Sequence, residues 1–415
     1  MKIPQDIRWL CLVALIMVGA ATGYSSSAST SAPRPSSPSQ TAASAKPATV
    51  MLGRTWTLSA GKRLDQPQLL CDDRGRLWAF GQTQLADKSW AIVCARFDGQ
   101  TWTPFAESVT PTKFPNSPIT AALDASDNPV VIWGDVSDKR GELALFFTRW
   151  TGREWTQREA IARVPSNVFP APTACLDGQG RMHVVYRNNL DPPEGYSQGL
   201  LVVDGVWSPK YFHLSYDGRQ WSEPQPTTER GRFGVGEPYL NLEADGRLCL
   251  VTEISDYPQL GSATKYLAFQ TWDGKCWSKF QRLTPEGVSI FGGSMALDAS
   301  GARHVTWWDR NLKSDYLRVT AEGKIEADPV CREMCKSVVK RNAFGWILCY
   351  SESQGYDRAQ AWTGDRWTPP VEVPDMGEYM TKMLVAAPSG AIYVFRTSWG
   401  KMHIQEILLG GAKKP

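Results

Sequence analysis

The chain has 415 residues, 42% of them hydrophobic and 21% charged, which is enough apolar side chain to bury a large core and too much for a disordered protein. Its 45 basic and 42 acidic residues leave a formal charge of +3, and no basic block stands out, so charge gives no support to a nucleic-acid or membrane-surface role. Four His leave few imidazoles for a metal site, whereas 18 Trp, 35 Gly and 28 Pro without long helical periodicity point to many short strands and turns.

At the N-terminus, Lys2 and Arg8 precede an apolar run, Trp9 to Val18, followed by Gly19-Ala20-Ala21-Thr22-Gly23. A charged segment, an apolar segment and a small-residue zone form an export signal, with cleavage expected after Gly23. The run falls short of the roughly 20 apolar residues that a membrane span needs. Ser25 to Val50 is almost all Ser, Ala, Thr and Pro, with only Arg34 and Lys46 charged. Such a stretch cannot bury enough apolar surface to offset chain entropy. The expected organisation is a signal peptide over 1–23, a linker over 24–50 and one folded domain over 51–415, secreted or otherwise extracytoplasmic. Of the Cys beyond the signal, most sit in apolar strand patterns and read as small buried hydrophobes. Cys331-x-x-x-Cys335 is the most plausible local pair; with no second pair and no nearby His it is not a zinc site. No metal and no cofactor is expected.

Two motifs alternate along the remainder. Gly-x-x-Trp occurs at Gly53/Trp56, Gly99/Trp102, Gly152/Trp155, Gly218/Trp221, Gly274/Trp277 and Gly364/Trp367, with Asp or Thr before the Gly in five of the six. Asp-Gly is hairpin-turn chemistry, and the Trp then opens the next strand. The other motif is an apolar strand end, a short polar turn and a new strand. It reads Leu70-Cys71-Asp72-Asp73-Arg74-Gly75, Leu123-Asp124-Ala125-Ser126-Asp127, Leu176-Asp177-Gly178-Gln179-Gly180, Leu242-Glu243-Ala244-Asp245-Gly246, Leu297-Asp298-Ala299-Ser300-Gly301 and Ala386-Ala387-Pro388-Ser389-Gly390. A worn seventh copy surrounds Phe344-Gly345-Trp346, and Gly323 marks a Trp-less outer turn. One unit is therefore four antiparallel strands in roughly 45 to 65 residues, the size of a propeller blade. The expectation is an all-β, seven-bladed β-propeller. Its chain begins on an isolated Gly53-x-x-Trp56 and ends on a lone strand, His403 to Leu409, so the segment around Thr55 to Leu58 should complete the last blade and remove the open edges. A pair of β-sandwiches and a six-bladed ring are the alternatives.

The outer turns resemble the Asp-box of sialidase-type propellers, Ser/Thr-x-Asp-x-Gly-x-x-Trp, although here Asp and Gly are adjacent and the leading Ser/Thr is missing. The resemblance covers essentially 51 to 409 and implies that Asp98, Asp217 and Asp273 hold turns on the face away from a site. The family's catalytic domains have six blades and carry a Phe/Tyr-Arg-Ile-Pro motif, which is absent here. Gly236-Glu237-Pro238 followed by Leu240-Asn241-Leu242-Glu243 is similar to the family segment that holds the Glu partner of a nucleophilic Tyr. The family continues that strand into an Arg where this chain has Thr252-Glu253.

Both hairpin turns of a propeller blade share one face, so the loops after the second strands and the linkers between blades share the other. The second-strand ends are Trp133-Gly134-Asp135, Tyr186-Arg187-Asn188-Asn189, Glu253, Trp307-Trp308-Asp309-Arg310-Asn311, Ser351-Glu352 and Arg396-Thr397-Ser398-Trp399. With Glu237 from a linker they form the candidate site. Asp135, Glu237, Glu253 and Asp309 are the candidate catalytic carboxylates. Arg187, Asn188, Trp308, Arg310, Arg396 and Trp399 are the candidate ligand-binding groups. Indoles stack on sugar faces, and Arg binds acidic groups with a bidentate fork. Glycoside cleavage needs two carboxylates roughly 5 to 10 Å apart. Salt bridging between blades is the competing role for Arg187, Asp309 and Arg310. The leading expectation is an exported propeller that binds a glycan or similar extracellular ligand, with no nucleic acid and no integral membrane span. A sialidase-like glycosidase or lyase acting on acidic glycans and a protein-interaction scaffold are the alternatives.

Overall fold

The structure, a computed structural model, describes residues 49–410 except 61–62, 106, 114–116, 137–142, 165–169, 190–201, 204–205, 208, 228–232, 235–237, 244–245, 256–264, 310, 328–334, 354–355, 375–382 and 399. It is a seven-bladed β-propeller of four-stranded antiparallel blades. Blade 7 takes its outermost strand from the chain start, β1 (Val50–Ser59). Blade 1 is β2 (Asp65–Cys71), β3 (Leu77–Gln84), β4 (Trp90–Phe97) and β5 (Glu107–Thr112). Blade 2 is β6 (Ile119–Leu123), β7 (Pro129–Val136), β8 (Leu143–Arg149) and β9 (Glu159–Val164). Blade 3 is β10 (Thr173–Leu176), β11 (Met182–Asn189), β14 (Pro209–Tyr216) and β15 (Gln225–Pro226), with a small hairpin of β12 (Val202–Val203) and β13 (Val206–Trp207) inserted. Blade 4 has its inner edge split into β16 (Phe233–Gly234) and β17 (Tyr239–Leu242), both paired with β18 (Leu248–Ser255), then β19 (Lys265–Trp272) and β20 (Gln281–Arg282). Blade 5 is β21 (Gly292–Leu297), β22 (Arg303–Trp308), β23 (Ser314–Val319) and β24 (Ile325–Ala327). Blade 6 is β25 (Cys335–Arg341), β26 (Ile347–Ser353), β27 (Tyr356–Trp362) and β28 (Val371–Val373). Blade 7 is β29 (Met383–Ala386), β30 (Ile392–Ser398), β31 (Lys401–Leu409) and β1. The inner strands sit side by side round the axis, and β29 returns against β2.

The ring closes as the lone terminal strands suggest. β1 pairs antiparallel with β31 from Val50↔Leu409 to Ser59↔Lys401, with an irregularity between Leu52 and Thr55. Gly53 lies in that irregularity, inside a strand and not in a turn, which corrects the reading of Gly53/Trp56 as one more turn motif. Its lack of a side chain serves a close approach: a Cβ there would stand 2.5 Å from Glu406 Oε2. Arg54 clamps the same carboxylate, through its amide at 3.1 Å and its Nε at 3.3 Å.

The polar turns between first and second strands share one device. The Oδ1 of Asp72, Asp124, Asp177, Asp298 and Asn342 accepts the amides two and four residues on, at 2.8 to 3.1 Å. The turn's fourth residue takes a left-handed backbone, at φ 77° for Gly75 and 81° for Gly301. Glycine adopts that region at little steric cost, and the side-chain oxygen satisfies amides that the hairpin leaves without ladder partners. The Asp-Gly turns between third and fourth strands work likewise: Asp98, Asp217 and Asp273 each accept two turn amides at 2.8 to 2.9 Å.

Each Trp after such a turn bridges back to the aromatic residue before it. Phe97–Trp102, Trp150–Trp155, Tyr216–Trp221, Trp272–Trp277 and Trp362–Trp367 have ring centroids 5.0 to 5.7 Å apart. Each pair then packs on the preceding blade. Trp150 lies 6.1 Å from Trp78, Trp221 5.3 Å from Phe147, Trp272 4.7 Å from His213, and Trp362 5.4 Å from His304. For blade 1 the pair meets Trp56 of β1, at 5.1 Å from Phe97, so the same contact seals the ring.

Behind two of these wedges lie buried histidine relays. His183 Nε2 is 3.1 Å from Asp177 Oδ2, and its Nδ1 is 2.8 Å from His213 Nε2. An ionised carboxylate only accepts, so Nε2–H of His183 donates to it and Nδ1 accepts the proton of His213. His304 repeats the arrangement between Asp298 and the Tyr316 hydroxyl, at 3.1 and 2.8 Å. Burial, followed by the neighbouring His183, pushes His213 down to about 3.

Among the described residues Cys71, Cys175, Cys249 and Cys276 are free thiols, and Cys94 and Cys349 are buried. Cys331 and the side chain of Cys335 lie outside the described residues. Among the described residues no helix is long and apolar enough to cross a membrane.

Trp150 is 9% exposed, and its replacement by Ala should lower unfolding free energy by about 3–5 kcal/mol, measured by denaturant titration. Because folded His213 protonates only near pH 3, the unfolded chain binds its proton first as pH falls from 6.5. Stability should therefore decline across that window, by up to about 1.4 kcal/mol per pH unit for this one proton. The drop in melting temperature between about pH 7 and about pH 4.5 should be smaller in His213→Gln than in wild type; parallel drops would contradict the relay.

Candidate functional site

The edges of the inner strands enclose an axial channel of about 240 Å³. Its loop-face end is framed by Gln66, Pro118, Ala171, Pro172 and Pro238, which precede or begin the inner strands. Its wall presents Gln68 from β2, Thr120 from β6, Thr173 from β10, Asn241 from β17, Ser294 from β21 and Lys340 from β25, with Met383 and Val385 from β29. Several of these groups are occupied in joining blades. Thr173 Oγ1 accepts the Leu240 amide at 3.3 Å, Ser294 Oγ accepts that of Val339 at 2.9 Å, and Gln68 Nε2 donates to Met383 Sδ at 3.7 Å. Lys340 and Asn241 carry chemistry with no such use. Burial pushes the Lys340 ammonium below the ordinary lysine value, opposed only by the Cys175 thiol of β10. Burial raises Cys175 to about 11. Blades 3 and 6 stand apart round the ring, so this influence acts across the channel.

The second-strand ends are placed differently. Asp135 is fully buried and accepts the Lys113 amide at 3.1 Å on both oxygens, the Val136 amide at 2.8 Å and Arg158 Nη1 at 3.5 Å. Desolvation raises its pKa, and these donors oppose the rise. The carboxylate thus ties blade 2 to the chain leaving blade 1. Asp309 caps its own turn: Oδ1 accepts the amides of Asn311 at 2.8 Å and Lys313 at 3.0 Å, and Leu312 takes the left-handed backbone at φ 65°. This repeats the polar-turn device on the loop face.

Glu253 lies on β18 beside Lys265, with Nζ 3.9 Å from its carboxylate. Trp308 packs against Gly292, where a Cβ would clash with the indole. Arg396 is 2% exposed and donates to the Tyr350 hydroxyl at 3.0 Å while pairing with Asp357, whose Oδ2 also accepts the Tyr350 proton at 2.7 Å. That cluster locks blade 7 to blade 6. Arg187 is half-buried on β11 opposite Tyr211, and the Asn188 backbone pairs with Lys210. Glu237, Arg310 and Trp399 lie outside the described residues, as do the linker stretches 114–116, 165–169, 235–237, 328–334 and 375–382.

None of the described candidates lines the channel. The channel groups Gln68, Asn241 and Lys340 lie on inner strands, away from the second-strand ends and blade linkers to which sequence assigns the site. The available signal was Val338-Val339-Lys340-Arg341, an inner strand that turns basic before its polar turn. A second hollow, of about 440 Å³, lies between blades 1 and 2 on the turn face. There the Arg96 guanidinium lies 5.5 Å from the Trp78 ring and 5.1 Å from that of Trp150, and Arg76 pairs with Asp72. No cluster of three or more His, Cys, Asp and Glu able to hold a metal occurs among the described residues.

No protein-family model matches the chain, and no curated protein matches it. Solved structures do. It is similar to the polysaccharide lyase Uly1 at 11% identity, covering 84% of this chain and 90% of that one with a TM-score of 0.55. It is similar to a puromycin-hydrolyzing peptidase of Mycobacterium tuberculosis at 13% identity, covering 81% of this chain and 50% of that one with a TM-score of 0.54. A Dyadobacter fermentans protein of unknown function matches at 12% identity, covering 87% and 99% with a TM-score of 0.52. Sialidase and arabinanase propellers are also among the matches. At these identities the likeness shows a shared propeller fold.

Proposed function

We propose that this chain is an exported β-propeller that binds a glycan or similar extracellular ligand on its loop face, over the mouth of the axial channel. The observation that carries the reading is the channel itself: a hollow whose mainly apolar lining carries a few amide, hydroxyl and ammonium groups and that reaches the loop-face ends of the inner strands. Concave sites with a few converging polar groups are where small ligands bind. Sugars suit such a lining, since their hydroxyls exchange hydrogen bonds with side-chain amides. The likeness to a polysaccharide lyase fits this reading at the level of fold.

Binding is favoured over glycoside cleavage by the state of two of the four candidate carboxylates. Asp135 is enclosed and bound to backbone amides, and Asp309 caps a turn. Neither has the freedom that an acid or nucleophile beside a scissile bond requires. The export signal expected over 1–23 and the linker expected over 24–50 fit an extracellular ligand.

Retention of the folded protein on immobilised polysaccharides tests the reading. Asn241→Ala should weaken binding to a retained glycan by roughly 2- to 10-fold, the loss of one or two hydrogen bonds, without changing the melting temperature by more than a few degrees. No retention on a broad panel of neutral and acidic glycans would overturn it.

A further inference from the structure

Among the described residues the axial channel contains one cation, Lys340, whose environment does not account for it. Lys340 extends from the turn-face end of β25, where it pairs with Leu348, two residues before the Asn342 turn. It reaches the channel lining, and the group acting on it from the far wall is Cys175, which pairs with His183 at the turn-face end of β10. Lys340 thus lies on the channel wall toward the end opposite the loop face. Among the described residues no carboxylate bonds to or acts on the Lys340 ammonium. A part-buried ammonium without a counter-charge is costly to retain, and proteins keep such groups chiefly where a ligand supplies the missing partner. The nearby thiol cannot fill that part, since burial keeps Cys175 protonated at neutral pH.

The rest of the lining fits an anion. Asn241 and Gln68 bring side-chain N–H donors, and the lining includes no Asp or Glu among the described residues. A volume of about 240 Å³ far exceeds the roughly 10–15 Å³ that one enclosed water needs, so the hollow has room for an acidic head group.

We infer that this end of the channel is an anion subsite in which Lys340 receives a carboxylate that enters from the loop face. This rests on the glycan-binding reading and narrows it to ligands bearing a carboxylate, supplied either by the acidic end of a saccharide or by a free small acid. Lys340 is a recognition residue here; no bond is made or broken.

The test uses wild-type protein, Lys340→Met and Lys340→Arg, with calorimetry and thermal melting against D-glucuronate, D-glucose, acetate and an oligouronate. Wild type should bind glucuronate at least tenfold more tightly than glucose, and Lys340→Met should abolish that preference. Lys340→Arg, which keeps the charge, should retain part of it and serves as the informative variant should Lys340→Met fail to fold. Without ligand, Lys340→Met should melt at or above the wild-type temperature, because an unpartnered charge has been removed. Tighter binding of oligouronate than of acetate assigns the carboxylate to a glycan end; equal binding of acetate assigns it to a free acid. The inference is overturned if wild type does not distinguish glucuronate from glucose, if Lys340→Met keeps the preference, or if unliganded Lys340→Met melts well below wild type. If Lys340→Met keeps the preference for glucuronate while both proteins are still retained on glycans, this inference falls and the glycan-binding reading stands.

Discussion

An aromatic pair on the outer rim of one blade, pressed against the middle strands of the blade before it, is the contact on which the wheel depends. A four-stranded sheet has two faces and cannot bury both alone. The pairs Trp150–Trp155, Trp272–Trp277 and Trp362–Trp367 supply large rigid area where neighbouring sheets splay apart, and each finds an aromatic or imidazole partner across the gap. Rings at such distances add about 0.5–1.5 kcal/mol beyond their area. The same contact, made by Phe97 and Trp102 to Trp56, joins first blade to last, so closure reuses the ordinary interface. Where a blade lacks the Trp, as blade 5 does at its Gly323 turn, the interface fills with aliphatic residues such as Val251, Leu267, Val305 and Leu317.

A recurring set of Asp residues in this chain serves turns. One oxygen of an Asp or Asn satisfies two amides that a hairpin would otherwise leave to solvent, and the device recurs at Asp72, Asp124, Asp177, Asp298 and Asn342. Asp309 belongs to this set although it lies on the opposite face. Its second-strand position suggested a catalytic carboxylate, yet the spacing to Leu312 and Lys313 is turn spacing. In two blades the other oxygen of the turn Asp receives a buried imidazole, so turn, core and wedge form one connected unit. Keeping those imidazoles neutral is what links the wheel's stability to acid.

Polar groups divide by strand. At the ends of second strands, Asp135 and Arg396 are drawn between blades and act as cross-links. Those on the innermost strands face a space that no other blade can fill, since seven sheets around an axis cannot meet at a point. Lys340, Asn241 and Gln68 lie there, and this is why the channel, more than the strand ends, offers groups for recognition.

The sequence by itself determined the repeat, the number of blades and the closing role of the N-terminal strand. Each of these is written within a few consecutive residues: Asp-Gly before Trp, a polar turn ending in Gly, a terminal strand lacking its partner. Turn chemistry is local, and a local rule repeated seven times counts itself. What only the tertiary structure decided is which polar side chains meet. A strand enclosed on both faces sends alternate residues to different neighbouring blades, so Arg396 finds Asp357 and Asp135 finds the Lys113 amide across gaps that strand periodicity does not encode. Gly53 shows the same limit, being read as a turn and used for the approach of Glu406. Lys340 opposite Cys175 is the extreme case, because the distance across the axis is set by seven blades at once and by no segment of chain.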